Sequence, residues 1–499
     1  MTGIGLGVAF FTGIGLGLVG VLLVLAGAVF LWAGGQSRFA VVGLAFALSL
    51  VGAWRSPEPT NLRSDRITEG HASLTGKVDS FPVTTSVGQR FDIWVENETG
   101  DTPYRFCVNS ESQQAVDKGS IVRFEGTVTS IDDLALGLQS ALRSRACDAS
   151  IETSKIVVFS GPPRFQTGIN AVRDRISHVF QRAAPGDTGA LMTGLVTGDD
   201  SALSFDARAA FFDTGTTHIT AVSGSNFAVI ALIAAAASGG TGTRRRVSWI
   251  AVTASAIWFY AILVGLPPSA LRAALMATFA LFAVRLGRRP DFVSLLVVCG
   301  AVQVALRPSD LHSLSFQLSM VATLALVLVF SGQELGLRRA PTAIVATAIA
   351  AHMATVPVLA YRLTEIAPAT VPTNILISPL TLIGFSFAAF ASVVGLFSET
   401  IGVAAATPAA FVSQAIVAIV TYSSELLPGR TSTGAASGGS LLALSFVCWS
   451  VVLVMSSDVR TAMARAWDWL IVNGGFARVA IVSAPVIAVV VYAVGTLAR

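Results

Sequence analysis

From Thr2 to Ser37 the chain carries no charged residue, and about 20 consecutive apolar residues suffice to cross a bilayer as a helix. Such a stretch has one low-cost environment, hydrocarbon, so it reads as a membrane anchor. It shows no clear basic start, short apolar core or small-residue cleavage site, and is therefore expected to stay in the mature protein. The pattern then recurs along the chain. Further apolar runs fall at about 39–54, 219–238, 248–265, 270–286, 292–306, 314–331, 342–360, 371–396, 402–427, 439–456 and 476–497, after the first at about 4–33. A polytopic α-helical membrane protein of about 10 to 12 spans is expected. Composition agrees, since only 12% of residues are charged against roughly 25% in ordinary soluble chains. The net charge of +4 decides little, because cytoplasmic loops of any membrane protein are rich in Arg and Lys.

Those basic loops set an orientation. With Arg244, Arg245 and Arg246 inside, alternation also places the Arg285–Arg289, Arg338–Arg339 and Arg460–Arg465 loops inside, as positive loops require. His218 then sits at the outer end of its span, and the polar segment from Arg55 to about Gly215 lies outside. The chain divides into amino-terminal spans (1–56), an extracytoplasmic β domain (57–163), interfacial helices (164–217) and a transmembrane domain (218–499).

In the outer segment the hydrophobic period shortens to two. Ala72–Val78, Arg90–Val95, Tyr104–Val108, Ser120–Val128 and Ile151–Phe159 alternate apolar and polar residues between Gly, Pro, Asn and Asp, which predicts a small β-barrel or sandwich. Cys107 and Cys147 both lie there, and an oxidising location favours a disulfide between them over two buried thiols. Beyond Phe165 the period becomes helical, with Ile169, Val172, Ile176, Val179 and Phe180 on one face and Arg173, Arg175 and Arg182 elsewhere. This helix lies on the membrane surface or packs against the β domain.

The five histidines are scattered and no Gly-Lys-Ser or Gly-Lys-Thr loop occurs. No metal site, P-loop or cofactor is expected, and any ATP-driven step belongs to a partner. In Gly215–Ile230 the residues Ser223, Gly224, Ser225 and Asn226 interrupt an apolar run. Helix-breaking polar groups at membrane depth need protein or water partners, so a broken helix lining a cavity competes with small-residue packing, which needs no amide. A second polar set comprises Pro267, Pro268, Arg272, Gln317, Pro357, Asn374 and Pro379. Arg272 either faces a polar interior or snorkels outwards, and Gln317 lines the path or bonds between helices. A hydrolase built on His218 and Ser223 would need a carboxylate beside His218. Asp213, across a Gly-Thr-Thr turn, gives no reason to expect one, and no catalytic residue is assigned.

At this point the residues resemble a known family. Thr197-Gly198-Asp199, then Phe205–Thr214, then His218–Phe227 are similar to the signature of the ComEC competence family. Pro268–Arg272, Leu286–Pro290, Ser315–Ser319, Thr355-Val356-Pro357 and Pro372-Thr373-Asn374 with Pro379 follow in that family's order. The resemblance covers about 187–427, and the β domain looks like the family's OB-like domain. It implies movement of single-stranded DNA across the cytoplasmic (inner) membrane during natural transformation. The implied partners are a DNA receptor, a cytoplasmic helicase or ATPase and a separate nuclease, besides membrane lipid. The path runs within one subunit or between the two of a homodimer. Larger members carry a metallo-β-lactamase-like domain that is not expected here, so neither is nuclease activity. His218, Ser223, Gly224, Ser225, Asn226, Arg272, Gln317 and Asn374 are the expected channel lining, and Arg90, Arg105 and Arg123 the expected DNA contacts on the barrel. A secondary transporter of another anionic or lipid-linked solute and a non-conducting membrane scaffold are the alternatives.

Overall fold

The computed structural model describes residues 70–456 except 85–87, 96–103, 113, 115, 131–146, 148, 221, 238–242, 287–290, 308–309, 312, 331–339, 364, 428–429 and 433–437. The expected spans at about 4–33, 39–54 and 476–497 lie outside the described residues, as do the Arg338–Arg339 and Arg460–Arg465 loops.

Six strands come first: β1 (Gly70–Val78), β2 (Val83–Thr84), β3 (Gln89–Val95), β4 (Tyr104–Ser110), β5 (Ile121–Ser130) and β6 (Ala149–Ser160). Pairing runs β1-β5-β6-β4-β3, and β1 also pairs with β3, so five strands close into a barrel. All the pairings are antiparallel except β4 with β6. This closed, Greek-key arrangement is that of a small OB-type barrel. Alternation sends Phe91, Ile93, Phe106, Val108, Phe124 and Ile151 inwards, each at most 1% exposed. β2 escapes the sequence reading because two residues are too few to show a period.

The helices follow. They are α1 (Arg164–Ala183), α2 (Asp187–Thr197), α3 (Phe205–Asp213), a 3-10 turn at Thr217–Ile219 and α4 (Gly224–Ala237), then α5 (Thr243–Leu263), α6 (Pro268–Arg285), α7 (Phe292–Leu306) and α8 (Leu314–Phe330). After α9 (Ala340–Arg362), a two-residue strand β7 (Glu365–Ile366) precedes the pair α10 (Thr370–Phe397) and α11 (Glu399–Leu426) and a return strand β8 (Thr431–Ser432). α12 (Gly438–Met455) closes the described chain. Among the described residues four stretches are long and apolar enough to cross a membrane: Thr217–Ala236, Thr342–Arg362, Thr370–Phe397 and Glu399–Leu426. Shorter apolar helices lie within α5, α6, α7, α8 and α12. The first of the long stretches is interrupted, since four residues separate its 3-10 turn from α4.

α10 and α11 form the most extensive helix pair, and α1 and α2 pack across both. Small residues permit the close approach. A Cβ on Gly402 would lie 2.4 Å from Gly395 Cα, and Val179 of α1 sits against both glycines. The buried face of α1 comprises Ile169, Arg173, Ile176, Val179 and Phe180. Arg173, read from sequence as lying off the apolar face, is in the middle of it.

Candidate functional site

The barrel meets the helices around one aromatic ring. Phe81, on the link from β1 to β2, lies under the Arg173 guanidinium at 3.6 Å and the Lys118 ammonium at 4.8 Å from its centroid. Arg173 is 7% exposed, and its Nη1 donates to the carbonyls of Thr197 (2.8 Å) and Leu263 (2.9 Å). Its Nη2 stands 3.6 Å from Asp199 Oδ2. One guanidinium thus ties α1 to the end of α2, the end of α5 and the barrel. α2 stops there because Gly198 adopts a left-handed conformation, φ 74°, which glycine enters without steric cost.

Lys118 sits in the turn before β5, and its Nζ donates to Gly265 O at 3.2 Å. Gly265 (φ 90°) and Leu266 (φ 56°) form a left-handed turn into α6, and a Cβ on Gly265 would lie 2.8 Å from the Phe81 ring. Arg307 Nη1 donates to Leu266 O from the other side. Burial pushes the Lys118 ammonium down to about 8, against the pull of Asp79, with Arg173, Arg307 and Arg105 adding to the depression. Burial likewise lowers Arg173 to about 10, opposed by Asp199 and Asp174. Both cations already face carboxylates, Asp79 for Lys118 and Asp199 and Asp174 for Arg173, which offset part of that desolvation cost.

Beside this contact a cavity of about 270 Å³ opens between barrel and helices, lined by Gln89, Asp117 and Lys118 from the barrel and by Asn170, Arg173, Asp174, Thr197, Asp199 and Ser201 among others. Gln89 Oε1 and Asn170 Nδ2 are buried without a hydrogen-bond partner among the described residues. Unpaired polar atoms beside a polar cavity of this size fit ordered water or a polar ligand.

The expected lining residues sit on the 3-10 turn, α4, α6, α8 and α10. His218 stands exposed on the 3-10 turn, its Nδ1 3.3 Å from Gly215 O. Ser223 and Ser225 hydroxyls are 2.7 Å apart at the exposed start of α4, beside exposed Gly224, and Ser223 donates to Asn226 Oδ1 at 3.0 Å. Asn226 is 5% exposed and donates to Leu195 O (3.1 Å) and Tyr260 Oη (3.3 Å), joining α4 to α2 and α5. Arg272 is 5% exposed on α6, and its Nε and Nη1 have no partner among the described residues. Asn374 Oδ1 on α10 is likewise unpaired, and Gln317 donates to Leu311 O at 3.0 Å.

On the barrel, Arg90 donates to Asn109 (2.9 Å) and Arg105 to Asp92 (3.0 Å), both on the β3–β4 ribbon. Arg105 also stacks 5.8 Å from the Trp94 centroid. Arg123 lies on β5, donating to Thr75 and stacking on Phe159, so the three do not form one patch. Cys107 and Cys147 are joined by a disulfide.

Sequence reasoning missed Phe81, Lys118, Gln303 and Asp310. Gln303 on α7 donates to Asp310 Oδ2 (2.9 Å) and Pro268 O (3.1 Å), which fixes the start of α6 against α7. For Arg173 a signal was available, because position 173 lies four residues after Ile169 and three before Ile176, on one helical face.

A family model described as "Competence protein" matches residues 195–458, from the end of α2 to just beyond α12. No curated protein and no solved structure matches the chain.

Proposed function

The chain belongs to the competence protein family, whose model spans more than half of it, and from that premise we propose that it passes single-stranded DNA across the cytoplasmic membrane during natural transformation. A role in DNA uptake follows from the family. The finer reading rests on one observation. The OB-type barrel, a fold suited to holding single strands, is seated by Phe81, Lys118 and Arg173 on helix ends of the family region, beside a polar cavity.

In this reading the barrel lies outside the membrane and hands a strand to the helices. About 10 to 12 spans surround the path, and unpaired polar groups such as Arg272 and Asn374 line it beside His218, Ser223, Ser225 and Gln317. Arg90, Arg105 and Arg123 contact phosphates, and such backbone contacts are sequence-neutral and weaken with salt. A DNA receptor delivers the strand, a cytoplasmic ATPase draws it in and a separate nuclease removes its complement. No bond-making step is assigned to the chain.

Uptake of labelled DNA into the cytoplasm tests the reading, comparing a deletion strain with strains carrying the wild-type chain or Ser201→Trp, which fills the cavity. Deletion should abolish internalisation while surface binding persists, and Ser201→Trp should reduce it at normal protein level. Unchanged uptake in the deletion strain would refute DNA transport. Unchanged uptake with Ser201→Trp would remove the cavity from the path.

A further inference from the structure

The joined ends of α1, α10 and α11 carry an excess of positive charge that the DNA path does not use. Arg175 Nη1 lies 2.6 Å from Glu399 Oε2, Arg182 bonds Glu399 Oε1, and His178 Nδ1 stands 3.4 Å from the same oxygen. Arg175 Nε also donates to Gly395 O at 3.3 Å. Two guanidinium groups and an imidazole therefore share one carboxylate, and at least one positive charge is left over. The acid is the inner member, with 21% side-chain exposure, against 38% for Arg175, 59% for His178 and 62% for Arg182. Spaced three and four residues apart, the two guanidinium groups and the imidazole form one stripe on α1.

Position decides what such a stripe can bind. α10 and α11 have 28 residues each, about 42 Å at 1.5 Å per residue, which exceeds a hydrocarbon core of about 30 Å. Their connection at Ser398 therefore falls at headgroup depth when both helices cross the bilayer. It lies on the same side as the barrel, since Arg173 reaches Phe81 while Arg175 reaches Glu399, whereas alternation from the basic loops sets this connection on the opposite side. Phe397 (87% exposed) and Ile401 (60% exposed) flank Glu399 there, a pairing of apolar and cationic groups that suits a membrane interface.

We propose that Arg175, His178 and Arg182, held in place by Glu399, bind the phosphate of an anionic phospholipid whose acyl chains lie against Phe397 and Ile401. Guanidinium edges take phosphate oxygens in bidentate fashion, and a residual charge near +1 matches one phosphodiester better than a polyanion. The bound lipid clamps α1 to α10 and α11. The inference requires only that these two helices span the membrane and is independent of DNA transport.

The test uses the full chain in neutral detergent, with thermal unfolding followed as phosphatidylglycerol or phosphatidylcholine is added. Phosphatidylglycerol should raise the midpoint and phosphatidylcholine should not. His178→Gln with Arg182→Gln changes two exposed side chains and should fold. It should weaken the apparent affinity for phosphatidylglycerol at least tenfold. Arg175→Gln with Arg182→Gln should abolish the response, and the first pair decides if this one fails to fold. Equal responses to the two lipids, or an unaltered response in the first pair, would overturn the site. A comparable response to inorganic phosphate would reassign it to free anions, and one to an oligothymidylate to nucleic acid, and either result refutes the lipid.

Discussion

Replacing Arg173 with Met tests whether the junction between barrel and helices is one cooperative contact. Met keeps an apolar stem of similar reach against Phe81 and removes both charge-assisted bonds, to Thr197 O and Leu263 O, along with the approach to Asp199. Hydrogen bonds to a charged group contribute about 1.5–3 kcal/mol each, and removing one member of a buried charged node costs about 3–5 kcal/mol. Relief of the Arg173 burial cost offsets part of this, so the lower figure, about 3 kcal/mol, is the working value. It corresponds to about a 150-fold shift in a docking equilibrium. Hydrogen exchange on the full chain in detergent reads it directly, because amides protected only by docking exchange in proportion to the open population. Amides at 79–84, 197–201 and 263–266 should exchange about 150-fold faster in Arg173→Met, while those in β5 and β6 stay unchanged. Exchange within twofold of wild type at all three segments would refute the junction as described. Acceleration confined to α2 would show that Arg173 braces the helices and leaves the barrel undisturbed.

Reduction of the disulfide, or Cys147→Ser, should destabilise the barrel by about 4 kcal/mol on the chain-entropy estimate for a loop of this size, given a separation of 40 residues. Thermal unfolding with and without reductant measures it. Asn226→Leu should lower the unfolding midpoint by the equivalent of about 1–3 kcal/mol, because two buried acceptors, Leu195 O and Tyr260 Oη, lose their donor. A midpoint equal to wild type would return Asn226 to a purely lining role. Asp310→Asn should stabilise the chain near neutral pH. Burial holds the Asp310 carboxyl above its ordinary range, opposed by the Gln303 bond and Arg307, so the folded state binds its proton more tightly than the unfolded state does. The stability tied to that proton is present at low pH and lost as pH rises through the folded-state value. The advantage of Asn should accordingly be largest near neutrality and shrink as pH falls towards the ordinary aspartate range, as midpoints measured across pH would reveal.

Much of this architecture was legible because it is local. Alternation at Arg90–Val95 and Ile151–Phe159 marks strands whose inner residues fill the barrel, and the apolar run at 292–306 coincides with α7 residue for residue. The polar interruption at Ser223–Asn226 was legible too, since a helix starting at Gly224 after a separate 3-10 turn leaves hydroxyls and an amide in an apolar run. What stayed hidden is long-range. Nothing near Phe81 or Lys118 announces that the ring meets Arg173 and the ammonium meets Gly265, some 90 and 150 positions later. Gln303 is one polar residue in an apolar run, and only the fold brings Asp310 and Pro268 to it. Arg173 was misplaced for a different reason. Reading charge as exposure fails where a guanidinium has carbonyl acceptors to bury against.

The packing of α1 also sets a schedule for making the protein. Its apolar face is covered by α10 and α11, and Arg175 finds Gly395 and Glu399 only 220 and 224 residues farther along. At about 5–20 residues per second, a ribosome needs on the order of 10 to 40 s to supply those partners. During that interval Val179 awaits the Gly395 and Gly402 surface it packs on, while the barrel, complete once β6 emerges, is already free to close. A nascent chain halted before α11 would leave Arg175 and Arg182 without Glu399 and part of α1's apolar face uncovered beside a finished domain.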